Sequence, residues 1–481
     1  MTPAEYVSFD AVAIATAIRQ GTLEATEVVD AALETVAALN PTLNAVVLLD
    51  AQRARESARR VRRAQPLAGV PFLIKDVDVY VAEWPTTHSS RFFADARLRA
   101  DSEIVQRWRA AGAVFLGKSN TPEFADDFAT EPAFRGVTRN PWQPAVTVGG
   151  SSGGAAAAVA SGMVPAAHGS DVGGSIRVPA ACCGLFGLKP SRGLNPGGPY
   201  FGHAGGGLNT EHVLTRSVRD SAAFLDATAG PEPGARLRVP RSVASYLDSL
   251  YEPTGRLDVV CLPSRLDGSD VEPEVAAGLA SAVSQLRDLG HRVVPAEYPV
   301  EVSRAMAGDG WSLLWMMDIA FAIESRCTEL GRAPADDELE PLARWIWGRA
   351  RGATARDYLA AQHAAHRAAL AMGEAFGHAD LLLAPTTATL PPPVGSFGAA
   401  DPAFDPVRWA AAAYGFAPFT ELFNVTGQPA ASVPVHLSPQ GIPVGVQLVA
   451  RHGRDDLVLQ LAAALEATTG WTRRRPPHWP G

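Results

Sequence analysis

A chain of 481 residues, 47% hydrophobic and 19% charged, can bury a large core, and its length allows about three domains. The formal net charge is −8, and the longest uninterrupted basic run, at 473–475, sits among Pro476, Pro477 and Pro480 and reads as a solvated tail, so no nucleic-acid partner is expected. No apolar run reaches the roughly 18 residues of a membrane span, and no basic segment followed by an apolar stretch opens the chain. No membrane partner and a cytoplasmic location are therefore expected.

Apolar residues at helical spacing predict helices over 9–20, ending at Gly21, and over 26–39, ending at Asn40-Pro41. A short strand over 46–49 and an Arg-rich helix over 51–63 follow. A buried-type strand over 70–74 ends at Lys75. A helix over 102–111 precedes a strand over 114–116, closed by Gly117. Strands at 259–262 and 292–294 bracket a helix over 272–289, a βαβ-type unit. A long helical region runs from 311 to 376 with few breakers. Further strands are expected at 381–384, 431–434 and 444–449, and an amphipathic helix over 455–468 closes the chain. Strands alternating with helices predict an α/β fold with a mixed or parallel sheet. Residues 231–253 are expected to be a surface excursion. No repeat or linker divides the chain.

The four cysteines, Cys182, Cys183, Cys261 and Cys327, have neither zinc-site nor disulfide spacing and read as reduced thiols. No metal set is visible. His88, His168, His203 and His212 are placed in loops without a spaced acidic partner, so a Ser-His-Asp mechanism is not favoured.

The chemistry concentrates between 149 and 192. Asp171-Val172-Gly173-Gly174-Ser175 places two glycines before a serine, and backbone N–H groups in such a turn can converge on one point, as an oxyanion hole requires. A plain tight turn is the alternative. The tract GGSSGG at 149–154 feeds the Ala-rich helix former at 155–160. A glycine-rich loop at a helix N-terminus could also cradle a phosphate, but the Gly-Lys-Ser/Thr ending of a nucleotide loop is missing. Lys75 could simply reach solvent. If buried, its amine would lose charge and could act as a base.

Taken together these segments resemble the amidase signature family, through AGVPFLIKD around Lys75, LGKSNTPEF, TRNPW, GGSSGG, GSDVGGSIRVPA, CGLFGLKPSRG, FNVTGQPAASVP and GIPVGVQLVAR. The likeness spans nearly the whole chain, and its two serines, Ser151 and Ser175, stand 24 residues apart as is usual there. The resemblance implies one amidase domain over 1–481, with a catalytic core at about 65–230 and a variable substrate-pocket region at about 300–376. The implied fold is a large, mixed, twisted β-sheet flanked by helices on both faces.

The implied chemistry is hydrolysis of a C–N amide bond through a Ser–cis-Ser–Lys triad and an acyl-enzyme, with no cofactor. Ser175 would be the nucleophile, Ser151, after a cis peptide bond, the proton shuttle, and Lys75 the neutral base. The N–H groups of Val172, Gly173, Gly174 and Ser175 would form the oxyanion hole. Ser152, Asp171 and Arg177 would hold the loop. By the same resemblance, Asp126, Phe128, Ala129 and Thr130, after the NTPE segment, and Met317 in the variable region, are expected to contact substrate. The acidic pair Asp126 and Asp127 would favour a basic or hydrogen-bond-donating substrate if it does not face solvent.

Within the family, the sequence is similar to cyclic nylon-oligomer hydrolases, aryl acylamidases and urethanases. A small-molecule amide or carbamate is the expected partner, and a homodimer is compatible with the resemblance. Ala155 stands where a serine is usual. A glutamine-dependent amidotransferase subunit would share fold and triad but needs a partner chain. The intact Lys75, Ser151 and Ser175 argue against a non-catalytic scaffold.

Overall fold

A computed structural model describes residues 1–198, 204–306, 310–477, 479 and 480. Eleven strands among them form one mixed sheet: β1 Val46–Leu49, β2 Pro71–Lys75, β3 Val114–Ser119, β4 Ala166–Asp171, β5 Phe186–Lys189, β6 Thr210–Thr215, β7 Asp258–Cys261, β8 Arg292–Pro295, β9 Leu381–Pro385, β10 Ala430–Leu437 and β11 Pro443–Ala450. Their order is β1-β3-β2-β4-β6-β5-β10-β11-β9-β7-β8. β2 runs parallel to β3 and β4, and β7 parallel to β8 and β9, while the pairs between these two blocks are antiparallel.

Both faces of this sheet are covered, which the sequence shows as unbroken apolar runs rather than alternation. In β9, Leu381 and Leu383 join one cluster, while Leu382 and Ala384 join another on the opposite face. The first cluster takes Leu279, Ala282 and Leu286 from the helix Pro273–Asp288 and Leu457, Leu461 and Leu465 from Asp455–Thr469. The second takes Met372 and Phe376 from Ala355–Phe376 and Leu422 and Phe423 from Glu421–Thr426.

Several boundaries differ from the sequence expectation. The second long helix spans Ala25–Leu43 and carries Pro41 in its last turn. The chain turns only at Asn44, which is left-handed, and the Asn40 side chain accepts from the N–H groups of Ala45 and Val46 at 2.8 Å each. The Arg-rich helix is shorter than expected, Ala51–Ala58. The region 311–376 breaks into Leu313–Leu330, Pro341–Arg351 and Ala355–Phe376, the first ending at left-handed Gly331. β4, β5 and β6 carry too little apolar pattern to be read from sequence. β4 is AAHGSD, fully buried yet largely polar.

Gly117 does not close a strand. β3 continues to Ser119, and the glycine is there because β1 approaches closely: a Cβ would lie 1.9 Å from the Leu48 carbonyl oxygen. Gly117→Ala should therefore force β1 away and cost about 1–3 kcal/mol in a denaturant titration.

β2 and β4 are parallel neighbours, so Lys75 and Asp171, their last residues, emerge on the same edge of the sheet. Ligands of α/β sheets gather at such carboxyl ends.

Candidate active site

Lys75 is fully buried at the end of β2. Its Nζ donates to Ser151 Oγ at 2.7 Å and to Ser170 Oγ at 3.0 Å. Burial pushes the amine down to about 8, opposed by the nearby carboxyls of Asp78, Glu211 and Asp171. Ser151 follows a cis Gly150–Ser151 peptide bond and is buried. Gly150 has no room for a side chain, since a Cβ would lie 2.5 Å from the Asp127 carbonyl oxygen. Ser175 is 8% exposed and, with Ser151 and Ser170, opens onto one cavity. The two serine loops are tied together: Ser152 N–H donates to the Ser175 carbonyl at 3.1 Å, and Ser152 Oγ to the Ser170 carbonyl at 3.3 Å.

The Ser175 turn is built around Asp171 and Arg177, both fully buried. Arg177 Nε and Nη2 donate to the two Asp171 oxygens at 3.0 and 2.8 Å. Arg177 Nη1 donates to the Thr420 carbonyl and Gln447 Oε1, and Nη2 also to Asn424 Oδ1, so all five guanidinium N–H groups are satisfied. Burial alone would raise the Asp171 carboxyl, but the Arg177 charge and these hydrogen bonds outweigh it and hold it at about 2. Asp171 also accepts from Gly174 N–H at 2.8 Å and Ile176 N–H at 3.1 Å. Gly174 is thus removed from the expected oxyanion set, because its N–H is turned to the carboxylate. Its φ of 134° and a would-be Cβ 2.2 Å from Thr420 Oγ1 admit only glycine.

Two histidines read as loop residues lie in strands. His168 in β4 is buried and does have an acidic partner: its Nε2 is 2.7 Å from Glu211 Oε2, and its Nδ1 accepts the Lys75 backbone N–H at 3.2 Å. Burial and the Lys75 charge push this imidazole down to about 3, so it is neutral, with Nε2–H donating to Glu211. The β4–β6 register sets Glu211 opposite Ser170. His212 in β6 is buried, with its Nε2 2.9 Å from Ser221 Oγ. His203 lies outside the described residues. Sequence reasoning missed Ser170, Asp78 and Glu211. Ser170 alone left a signal, as a polar residue three before the Gly-Gly turn.

Of the expected substrate contacts, Asp126 and Phe128 line the cavity. Ala129 and Thr130 do not: they brace the glycine loop, with Thr130 Oγ1 donating to the Gly149 carbonyl at 2.9 Å and Ala129 backbone packed on Gly150. Met317 also misses the cavity. Trp315, Asp318 and Ile319, spaced i, i+3, i+4, form the facing stripe of the helix Leu313–Leu330, and Met317 falls off it, half-buried against the edge of the core. All four cysteines are free thiols. No helix among the described residues is long and apolar enough to cross a membrane.

A buried lysine hydrogen-bonded to a serine, beside a second serine on a glycine turn, is an arrangement for acyl transfer. Residues 27–459 match the amidase family. The chain is 38% identical to the 6-aminohexanoate-cyclic-dimer hydrolase of Paenarthrobacter ureafaciens, over 97% of this chain and 96% of the relative. It is 33% identical to an acylamidase of Rhodococcus erythropolis, with 96% of each covered. A solved structure of 6-aminohexanoate cyclic dimer hydrolase complexed with substrate superposes with a TM-score of 0.91 at 37% identity, covering 98% of this chain and 99% of that one. The chain belongs to the amidase family. It is an amidohydrolase, acting on carbon–nitrogen bonds other than peptide bonds.

Asp171→Asn should leave Arg177 as an uncompensated buried charge and cost about 3–5 kcal/mol, measured by chemical denaturation. Replacing both residues with apolar ones of matched size should cost less than the single change.

Proposed function

We propose that the enzyme cleaves a small-molecule amide through Ser175, Ser151 and Lys75. The observation that carries this reading is the 2.7 Å contact of a buried Lys75 amine with Ser151, beside Ser175. In its neutral form the Lys75 lone pair takes the Ser151 hydroxyl proton across that contact, while Ser151 Oγ takes the proton of Ser175 Oγ–H. Ser175 Oγ then attacks the substrate carbonyl carbon. The N–H groups of Val172, Gly173 and Ser175 receive the oxyanion, without Gly174. The proton returns through Ser151 to the leaving nitrogen, the C–N bond breaks, and the amine departs. Water attacks the acyl-enzyme by the same relay and restores Ser175. The 6-aminohexanoate-cyclic-dimer hydrolase and acylamidase relatives support an amide substrate.

Each group has a support that fits its task. Ser170 takes a second Lys75 hydrogen bond and leaves the lone pair aimed at Ser151. The neutral His168, anchored by Glu211, fixes the Lys75 backbone. Burial, rather than a cationic neighbour, supplies the neutral amine, and the surrounding carboxyls limit how far it falls.

Ser175→Ala should abolish amine release from an acetanilide, a cyclic aminohexanoate oligomer and an aryl carbamate tested in parallel, with kcat reduced at least about 10³-fold. Survival of release in that variant would remove Ser175 as nucleophile, and the preferred member of the panel identifies the bond cleaved.

Because the active base is the deprotonated Lys75, log kcat/KM should climb with pH through about 8 and level off above it. Activity already at its plateau at pH 5 would exclude a lysine base. Lys75→Met should lose activity as severely as Ser175→Ala while retaining a cooperative melt.

A further inference from the structure

The cavity beside Ser175 is lined by five carboxyl side chains, Asp78, Asp126, Asp127, Asp318 and Glu421, and among the described lining residues by no lysine, arginine or histidine. Three tryptophans, Trp311, Trp315 and Trp409, share the lining. The neighbouring cations are already committed: Arg177 spends all five donors on other partners, and Lys75 is pushed toward its neutral form.

Most of the carboxyls have internal partners. Asp127 Oδ1 accepts from Phe128 N–H at 2.8 Å and Trp409 Nε1 at 3.3 Å. Asp318 Oδ2 accepts from Gly205 N–H at 2.8 Å. Asp78 is hydrogen-bonded to Ser170, and Glu421 to Tyr414. Asp126 Oδ2 is different: it is shielded from solvent and has no hydrogen-bond partner. Glu421 stands close by, its Oε1 packed against the Ser175 turn, 3.3 Å from where a Gly173 Cβ would sit.

Burial, with repulsion from Asp127 and Glu421, raises the Asp126 carboxyl well above the usual range; burial, with repulsion from Glu131, does the same for Asp127, and burial raises Glu421 to about 8. A bound cation relieves both causes at once, since it replaces the lost hydration and cancels the like charge. Indole faces add a second attraction for the same ligand. Among the described residues no group of three or more His, Cys, Asp or Glu has the placement to hold a metal ion, which favours an organic cation.

We propose that this cavity binds the ammonium end of an amino-bearing amide, with Asp126 and Glu421 as its counter-ions and the tryptophans as its walls, so that cationic amides are selected over neutral ones of the same shape. This deepens the amide-hydrolase reading and rests on it for the reaction. The binding preference can be tested apart from turnover.

Calorimetry on the wild-type enzyme at pH 7 would compare hexylammonium with 1-hexanol, which differ in charge but little in size. The expected result is at least tenfold tighter binding of the ammonium, falling to threefold or less in Asp126→Asn or in Glu421→Gln, each checked for a cooperative melt. Equal affinities in the wild type, or an ammonium preference unchanged in both folded variants, would overturn the proposal. In a second arm, kcat/KM is compared for the anilides of 6-aminohexanoic and heptanoic acids. Equal or better turnover of the neutral anilide would refute cation selection while leaving the hydrolase reading intact. If neither anilide is cleaved but hexylammonium keeps its tenfold advantage, cation binding stands and the reading of these amides as substrates fails.

Discussion

The pairing of Asp171 with Arg177 is the constraint on which the rest of this site depends. One carboxylate fixes the Gly174 and Ile176 N–H groups and so shapes the turn that carries Ser175. One guanidinium reaches Thr420, Asn424 and Gln447, more than 240 residues further along the chain. A buried pair is weak evidence of net stability, because desolvation consumes most of its Coulomb energy. Its value here is positional. Two charges that cannot be left unpaired force β4, the Ser175 turn, the helix Glu421–Thr426 and β11 into one arrangement.

The second organising feature is a lysine with no counter-ion in direct contact. Lys118, one strand over, pairs with Asp76 at 3.1 Å, as a buried lysine ordinarily would. Lys75 instead touches two hydroxyls. The carboxyls that could neutralise it, Asp78 and Glu211, act at longer range, and burial pushes both toward protonation, to about 6 and about 8. The same desolvation that removes the lysine's proton therefore weakens the charges that would restore it. The result is an amine lowered to about 8 with no histidine at its Nζ, while the His168 ring accepts from the Lys75 backbone N–H.

The acidic, aromatic cavity extends the same physics to the ligand. The desolvation that lowers Lys75 also raises the Asp126, Asp127 and Glu421 carboxyls, and a cationic ligand would favour their ionised forms.

Much of this was legible in the sequence because the chemistry sits on glycine-rich turns, where residue identity is dictated by backbone geometry. GGSSGG, the Gly173-Gly174-Ser175 turn and Lys75 at a strand end are recognisable because few substitutes fit. The strands β9 and β11 were readable from apolar runs, since a sheet covered on both faces leaves no polar alternation. What the sequence could not determine depends on partners distant in the chain. β4 is polar because its side chains meet Lys75, Glu211 and Arg177 from other elements, so no local pattern announces it. Gly117 reads as a stop, yet it is set by the Leu48 carbonyl of a neighbouring strand. The Gly174 N–H reads as an oxyanion donor until Asp171 claims it. Met317 and Trp315 look equally suited to a pocket wall, and only the rotation of their helix, fixed by tertiary packing, decides which one faces it.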